Sequence, residues 1–170
     1  MRIYRVFCLS AGKFPSFRTS SHMHKLNLPE FEYSLRKADD KVWIFDVIRK
    51  KFLVLTPEEW VRQHFVHYLI SELRYPKSLI KLEGGLKYNS LSKRSDIVVF
   101  DRTGIPWMIV ECKSPDQKIS ENILHQASVY NSTLKAKYLA ITNGLKHYCC
   151  CVNWELRKTE LMTVLPSFGG

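Results

Sequence analysis

Residues 95–115, SDIVVFDRTGIPWMIVECKSP, constrain the fold more than any other stretch of the chain. Two apolar runs flank the turn-forming segment DRTGIP, which predicts a β-hairpin with both strands in the core of a sheet. Asp96 opens the first run, and Glu111 and Lys113 close the second. Because a hairpin returns the chain to the edge where it began, the sequence predicts that these charged residues meet at one end of the sheet.

The charged ends of the hairpin have the composition of a magnesium site. Side chains alternate along a strand, so Glu111 and Lys113 point to one face and Cys112 to the other. The carboxylates of Asp96 and Glu111, held close together, repel each other unless a proton or a cation lies between them. Mg²⁺, with Mn²⁺ as a substitute, prefers oxygen ligands, and the backbone carbonyl of Cys112 would add a third protein oxygen.

Such a cluster suits the hydrolysis of a phosphodiester bond. A bound metal ion polarises the phosphoryl oxygen and lowers the pKa of a bound water. Lys113 would orient that water and stabilise the charge that develops on the phosphate. The alternative is that Asp96, Glu111 and Lys113 are solvated charges at strand ends, and their spacing alone leaves both interpretations open.

One helix is predicted on each side of the hairpin along the chain. TPEEWVRQHFVHYLISELRYP predicts a helix with Thr56 as its N-cap and Pro57 at its first position. Glu59 either completes a capping box with Thr56 or adds a carboxylate to the charged cluster. SENILHQASVYNSTLK predicts a second helix, on which Gln126 and Tyr130 share a face. It follows the ECK strand directly, so this pair would lie over the cluster; surface polarity and one core aromatic residue are the alternative.

The formal net charge of +10 favours a polyanionic partner, with nucleic acid first among the candidates. Lys87, Lys93 and Arg94 precede Asp96 and would contact DNA phosphates, because Lys and Arg make most contacts to the phosphate backbone. A solvated strand edge explains the same three residues almost as well. The charge pattern therefore predicts a DNA partner but does not indicate how the protein would recognise particular bases.

Cysteine usage and hydropathy indicate a reducing, cytoplasmic compartment. The five cysteines match neither a secreted disulfide framework nor the CxxC spacing of a zinc site, and a CCC run in a strand would supply small apolar fillers. No run approaches the roughly 18 apolar residues of a membrane span. The start, MRIYRVFCLSAG, has too short and interrupted an apolar part for a signal peptide.

Some residues admit a functional and a structural interpretation. His64 and His67 are three apart on the first helix and could share a metal, but no third ligand is evident near them, and two half-buried histidines are favoured. Trp107, Tyr88 and Tyr148 would stack on bases, although packing in the core or at a sheet edge explains them better.

Five segments, in order, resemble a known nuclease group. Asp96, Glu111 and Lys113 resemble the PD-(D/E)xK nuclease motif. More narrowly, TPEEWVRQ, KRSDIVVFD, MIVECKSP, the QxxxY helix and AITNG are similar to the N-terminal domain of type I restriction enzyme R (HsdR) subunits. The resemblance covers about residues 40–152 and is specific because all five segments occur in the right order.

The resemblance implies an α/β fold of restriction-endonuclease type, with a mixed central β-sheet flanked by α-helices. It also implies a Mg²⁺-dependent DNA endonuclease in which Asp96 and Glu111 bind the metal and Lys113 is catalytic. We expect residues 31–165 to form one nuclease-like domain, after an irregular extension over residues 1–30 and before a tail over 166–170.

Three further residues match the group's pattern and one departs from it. Gln126 and Tyr130 match a motif that supports the active site and DNA contact, and Glu59 matches the acidic position of the first helix. Ser95 stands where the superfamily's proline is expected, at a position that varies widely.

The 170 residues contain no GxxxxGK[ST] loop, so we do not expect ATP-driven translocation from this polypeptide alone. Two other roles stay open for a domain of this type. One is a catalytically silent module that binds DNA or protein. The other is a subunit that works beside a separately encoded motor or specificity subunit, and a homodimer is one assembly that would cut both strands. No membrane partner is expected.

Overall fold

The computed structural model of the protein describes residues 24–84 and 95–169. These residues form nine β-strands in two sheets, two α-helices and a short 3-10 helix. The strands are β1 (Leu35–Ala38), β2 (Lys41–Asp46), β3 (Lys51–Val54), β4 (Ile80–Gly84), β5 (Ser95–Phe100), β6 (Pro106–Cys112), β7 (Tyr138–Thr142), β8 (His147–Asn153) and β9 (Lys158–Met162); the helices are α1 (Pro57–Ser71), α2 (Glu121–Leu134) and the 3-10 turn Lys77–Leu79.

The central sheet has six strands in sequence order, from β4 at one edge to β9 at the other. β6 and β7 are parallel, because α2 carries the chain back between them, and the other neighbours are antiparallel. The sheet is therefore mixed and packs against helices, which confirms the predicted α/β fold class. β1, β2 and β3 form a separate antiparallel sheet, which the sequence did not distinguish from the main one.

Helix α1 lies in the interior between other elements and is buried around most of its circumference. It begins as predicted: Thr56 is the N-cap, Pro57 opens the helix, and the Thr56 hydroxyl accepts a hydrogen bond from the backbone N–H of Glu59 at 3.0 Å. Val61, Phe65 and Leu69 belong to the core. Polar residues of the same helix are buried as well, and these contribute to the candidate site.

The six-stranded sheet has a hydrophobic cluster on each face. Ile97, Val99 and Val110 belong to the cluster that includes α1, whereas Val98 and Ile109 belong to the cluster under α2. Alternation of side chains along β5 and β6 produces this separation. Within β8, two of the three consecutive cysteines pack against the first cluster and the middle one against the second, which confirms that the CCC run fills the core.

Several predicted features lie wholly or partly outside the described residues. Lys87, Lys93, Arg94 and Tyr88 belong to the undescribed segment 85–94, and Cys8 to the undescribed segment 1–23. Residues 24–30 contain no helix or strand, and the predicted domain boundaries stay predictions. No helix in the described part of the chain is long and apolar enough to span a bilayer.

Candidate active site

The β5–β6 hairpin brings the predicted charged residues together at one end of the sheet. Ile97 pairs with Val110, so the next step of the antiparallel ladder places Asp96 opposite Glu111. The ammonium of Lys113 donates a hydrogen bond to Glu111 Oε1 at 2.7 Å, so these two side chains share a face as predicted. Cys112, between them, is fully buried on the opposite side. Alternation of side chains along β6 therefore directs Glu111 and Lys113 toward the candidate site and buries the Cys112 thiol on the other face of the sheet.

Both oxygens of Asp96 accept hydrogen bonds. Oδ2 accepts from the backbone N–H of Cys112 at 2.6 Å, and Oδ1 accepts from Nη2 of Arg62 at 2.7 Å. One donor is the backbone of the neighbouring strand and the other is a side chain of α1. The carboxylate is therefore held from two elements and presents a defined orientation.

Arg62 is the central cation of the site and is not among the residues predicted from sequence. Its side chain is only 7% exposed. Besides Asp96, its guanidinium binds Glu58 Oε1 through Nη2 at 3.0 Å and Glu59 Oε2 through Nη1. The spacings of four and three residues along one helix are a local signal that would have linked these three residues.

The two adjacent glutamates of α1 have different environments. Glu59 is 5% exposed, and its second oxygen accepts a hydrogen bond from Gln63 Nε2 at 2.8 Å. Its carboxylate thus accepts from Arg62 and Gln63, while its backbone N–H donates to the Thr56 hydroxyl. The side chain of Glu58 is 41% exposed and interacts electrostatically with Asp96 and Lys113. Glu58, which was not predicted, is thus the α1 carboxylate nearer the solvent side of the cluster.

A chain of buried polar groups connects the site to the three-stranded sheet. Gln63 Nε2 donates to Asp46 Oδ2 at 3.0 Å as well as to Glu59. The other Asp46 oxygen accepts from the backbone N–H groups of Ile48 and Arg49, both at 2.8 Å, and fixes the turn after β2. Burying a polar group without a partner is costly, so these contacts account for the presence of polar side chains inside the fold.

Burial and mutual repulsion raise the pKa values of two carboxyl groups in the cluster. Burial, and next the charge of Asp96, raise the pKa of Glu111 above its usual value. Burial and the charge of Asp96 also raise the pKa of Glu58. Burial lowers the pKa of Lys113, but its hydrogen bond to Glu111 and the charge of that carboxylate outweigh this effect, and the net pKa is raised. The carboxylates therefore repel one another despite the two basic groups among them.

Helix α2 covers a cavity of about 150 Å³ beside this cluster. Gln126 and Tyr130 line it from the helix, and Glu111 and Ser95 line it from the sheet, together with apolar side chains. Gln126 is exposed and Tyr130 is half-buried. The position of the helix follows from the connection of β6 to the parallel strand β7, which places α2 across the ECK strand. The QxxxY pair therefore lies next to Glu111, as the sequence suggests.

The donor set at the sheet end fits Mg²⁺ in its chemistry. Asp96 and Glu111 offer hard carboxylate oxygens, and burial raises the pKa of the Cys112 thiol well above its usual value, which leaves its backbone carbonyl as the ligand expected there. No group of three or more His, Cys, Asp or Glu side chains within residues 24–84 and 95–169 could hold a metal ion by itself. The remaining ligands would thus be phosphate and water oxygens, as is common for Mg²⁺.

Three other residues considered from sequence, His64, His67 and Trp107, have structural contacts. His64 Nδ1 lies 3.1 Å from the carbonyl oxygen of Pro29, and the ring of His67 stacks on Phe31 with centroids 4.0 Å apart. Packing accounts for both histidines. The indole N–H of Trp107 donates to a tyrosine hydroxyl at 3.1 Å, so this residue packs in the fold as favoured.

Comparison with known proteins places this geometry in context. The model of the family described as type I restriction enzyme R protein N terminus matches residues 57–166, which is more than half of the chain. A solved fragment described as an HsdR subunit of a type I restriction enzyme from Vibrio vulnificus YJ016 is 22% identical, with a TM-score of 0.35. That match covers 52% of this chain and 16% of the other. No curated protein matches the chain.

Proposed function

Because the chain belongs to the family of type I restriction enzyme R protein N-termini, we propose that it is a Mg²⁺-dependent nuclease domain that hydrolyses phosphodiester bonds in DNA. The observation that carries the proposal is the meeting of Asp96, Glu111 and Lys113 at one end of β5 and β6. Family membership supports the nuclease-related role, and the cluster supplies the chemical groups that such a role requires.

Asp96 and Glu111 would hold the metal ion together with the carbonyl of Cys112. When bound, Mg²⁺ supplies a Lewis acid for the phosphoryl oxygen and lowers the pKa of a water. Asp96 is already oriented by Arg62 and by the N–H of Cys112, so little side-chain entropy is lost when it binds. Burial and the charge of Asp96 raise the pKa of Glu111, so acidification should weaken metal binding by protonating it.

Lys113 acts in this scheme as a fixed positive charge and hydrogen-bond donor. Its net raised pKa keeps the ammonium protonated at neutral pH, which argues against a role as general base. From its position beside Glu111, it would donate to the attacking water or to a phosphoryl oxygen and stabilise charge in the transition state.

DNA would approach the cluster from the side of α2. Gln126 and Tyr130 line the cavity next to Glu111 and would contact the strand that is cut. Lys87, Lys93 and Arg94, just before β5 in sequence, would add phosphate contacts. A separately encoded motor or specificity subunit, or a second copy of the chain, would complete an assembly that cuts both strands.

The second candidate function is a DNA-binding module without turnover. The observation in its favour is that Arg62 already neutralises part of the carboxylate cluster. The two functions differ in their dependence on metal. A nuclease requires Mg²⁺ or Mn²⁺, whereas a binding module holds DNA equally well in EDTA, with the salt dependence of phosphate contacts.

Cleavage and binding measured on the same preparations separate the two functions. We expect wild type to cut DNA with Mg²⁺, and Glu111→Gln to lose cleavage while it still binds fluorescent DNA in an anisotropy assay. Wild type that binds DNA but cuts none with either metal would favour the binding module. Cleavage that appears only after addition of a partner subunit would favour the assembly.

A further inference from the structure

Arg62 is a cationic group that contacts several carboxylates of the candidate metal cluster. Its Nη2 is 2.7 Å from Asp96 Oδ1 and 3.0 Å from Glu58 Oε1, so one cationic group bridges carboxylates of β5 and α1. In a two-metal site a second cation lies about 3.5–4 Å from the first, where it too would be held by carboxylates of the cluster. We propose that Arg62 replaces a second ion and restricts the cluster to one divalent metal. This inference rests on the proposed Mg²⁺-dependent function.

The charge balance of the cluster agrees with a single ion. Four carboxylates contact or adjoin two basic side chains, which leaves two negative charges, the charge of one divalent cation. The members are Glu58, Glu59, Asp96 and Glu111 on the acidic side and Arg62 and Lys113 on the basic side. Removal of the arginine would leave one further negative charge, for which a second ion could compensate.

Arg62 cannot easily leave this position. Its side chain is 7% exposed, and its second terminal nitrogen binds Glu59, which is itself held by Gln63. A guanidinium stays protonated in proteins, so its charge is present at every working pH. The planar fork also lets one side chain contact several carboxylates at once, which an ammonium does less well. A fixed, permanent charge between Glu58 and Asp96 repels an incoming cation from that side.

The number of bound Mn²⁺ ions tests the proposal directly. Free Mn²⁺ would be titrated into the full chain without DNA and followed by electron paramagnetic resonance, and the ions lost in an Asp96→Asn, Glu111→Gln double variant would be counted as site ions. Wild type should bind one site ion. Arg62→Met, which removes the charge but keeps an unbranched side chain, should bind two. Arg62→Lys, which keeps the charge, is the matched control and should bind one.

Each outcome decides the proposal. Two site ions in wild type, or one in a folded Arg62→Met protein, overturn it while leaving metal-dependent cleavage intact. If Arg62→Met does not fold, as judged by circular dichroism, the wild-type count still tests the proposal. Absence of any site ion in wild type would refute both this inference and the proposed nuclease function.

Discussion

Glu58 and Glu59 are adjacent in sequence, but the structure predicts that the same substitution has different consequences at each. Glu59 is buried and binds Arg62 and Gln63, whereas Glu58 is partly exposed at the edge of the charged cluster. Glu59→Gln should therefore reduce stability. Glu58→Gln should leave stability nearly unchanged and reduce DNA cleavage instead.

The contacts of Glu59 set the expected loss of stability. Glutamine at this position still accepts the hydrogen bond from Gln63, but it removes the negative charge that pairs with Arg62. Breaking a buried ion pair costs about 3–5 kcal/mol. Because Arg62 keeps its contacts with Asp96 and Glu58, we expect the lower end, about 3 kcal/mol, which for a chain of this size lowers Tm by roughly 6–12 °C.

Glu58→Gln serves as the matched control for stability. Burial and the charge of Asp96 raise the pKa of Glu58, so its ion pair with Arg62 is offset, and the change in stability should stay below about 1 kcal/mol in either direction. Its effect on cleavage should be larger, about 10–100-fold, as for other groups that adjoin a metal site.

Urea unfolding followed by circular dichroism in EDTA would measure both stabilities, and cleavage would be measured on folded protein. Equal losses of stability, or a greater loss for Glu58→Gln, would refute this assignment of the two residues.

Substitutions at Glu111, His67 and Gln126 should also have measurable effects. In EDTA, Glu111→Gln should raise the free energy of unfolding near neutral pH, because a carboxyl group whose pKa is raised in the folded state destabilises the fold once it is ionised. This gain in stability should vanish below about pH 4.3, where the carboxyl group is protonated in both states. Urea unfolding curves that are the same for both proteins near neutral pH would contradict this prediction. Burial, with the charges of Lys77 and His64, lowers the pKa of His67 to about 4, so the folded protein loses stability as the pH falls from about 6.5 toward 4. In thermal melts, the Tm of His67→Phe should therefore depend less steeply on pH over this range than the Tm of wild type. The same dependence of Tm on pH in both proteins would contradict this prediction. Gln126→Ala, at an exposed position, should change stability by less than about 0.5 kcal/mol yet lower kcat/KM for DNA, and an unaltered kcat/KM would argue against DNA contact by α2.

Local rules account for the parts of the fold that the sequence predicts well. The N-cap of α1 depends on Thr56 and the three residues after it, and the structure shows the expected hydrogen bond. Alternation within β6 depends only on the pleat of a strand, and it places Glu111 beside Lys113 and turns Cys112 inward. The connection from β6 through α2 then determines where Gln126 and Tyr130 lie.

Tertiary packing determines the parts that the sequence does not reveal. Nothing in the sequence distinguishes Arg62 and Gln63 of α1, or Asp46 of β2, from exposed polar residues. Their burial depends on the enclosure of α1 on nearly all sides, which the sequence does not show. Burial converts them into a hydrogen-bonded chain whose members need each other. The choice between Glu58 and Glu59 is equally tertiary, since both contact Arg62 but only Glu59 is buried and also binds Gln63.

The most direct test of the central claim is the nicking of supercoiled plasmid by wild type, Lys113→Ala and Lys118→Ala, each with Mg²⁺, with Mn²⁺ and with EDTA. Lys118 is exposed and lies five residues beyond Lys113, so its variant controls for a general loss of positive charge. We predict metal-dependent nicking by wild type and Lys118→Ala, and its loss in Lys113→Ala. Equal nicking by Lys113→Ala and wild type, or nicking that persists in EDTA, would contradict the account.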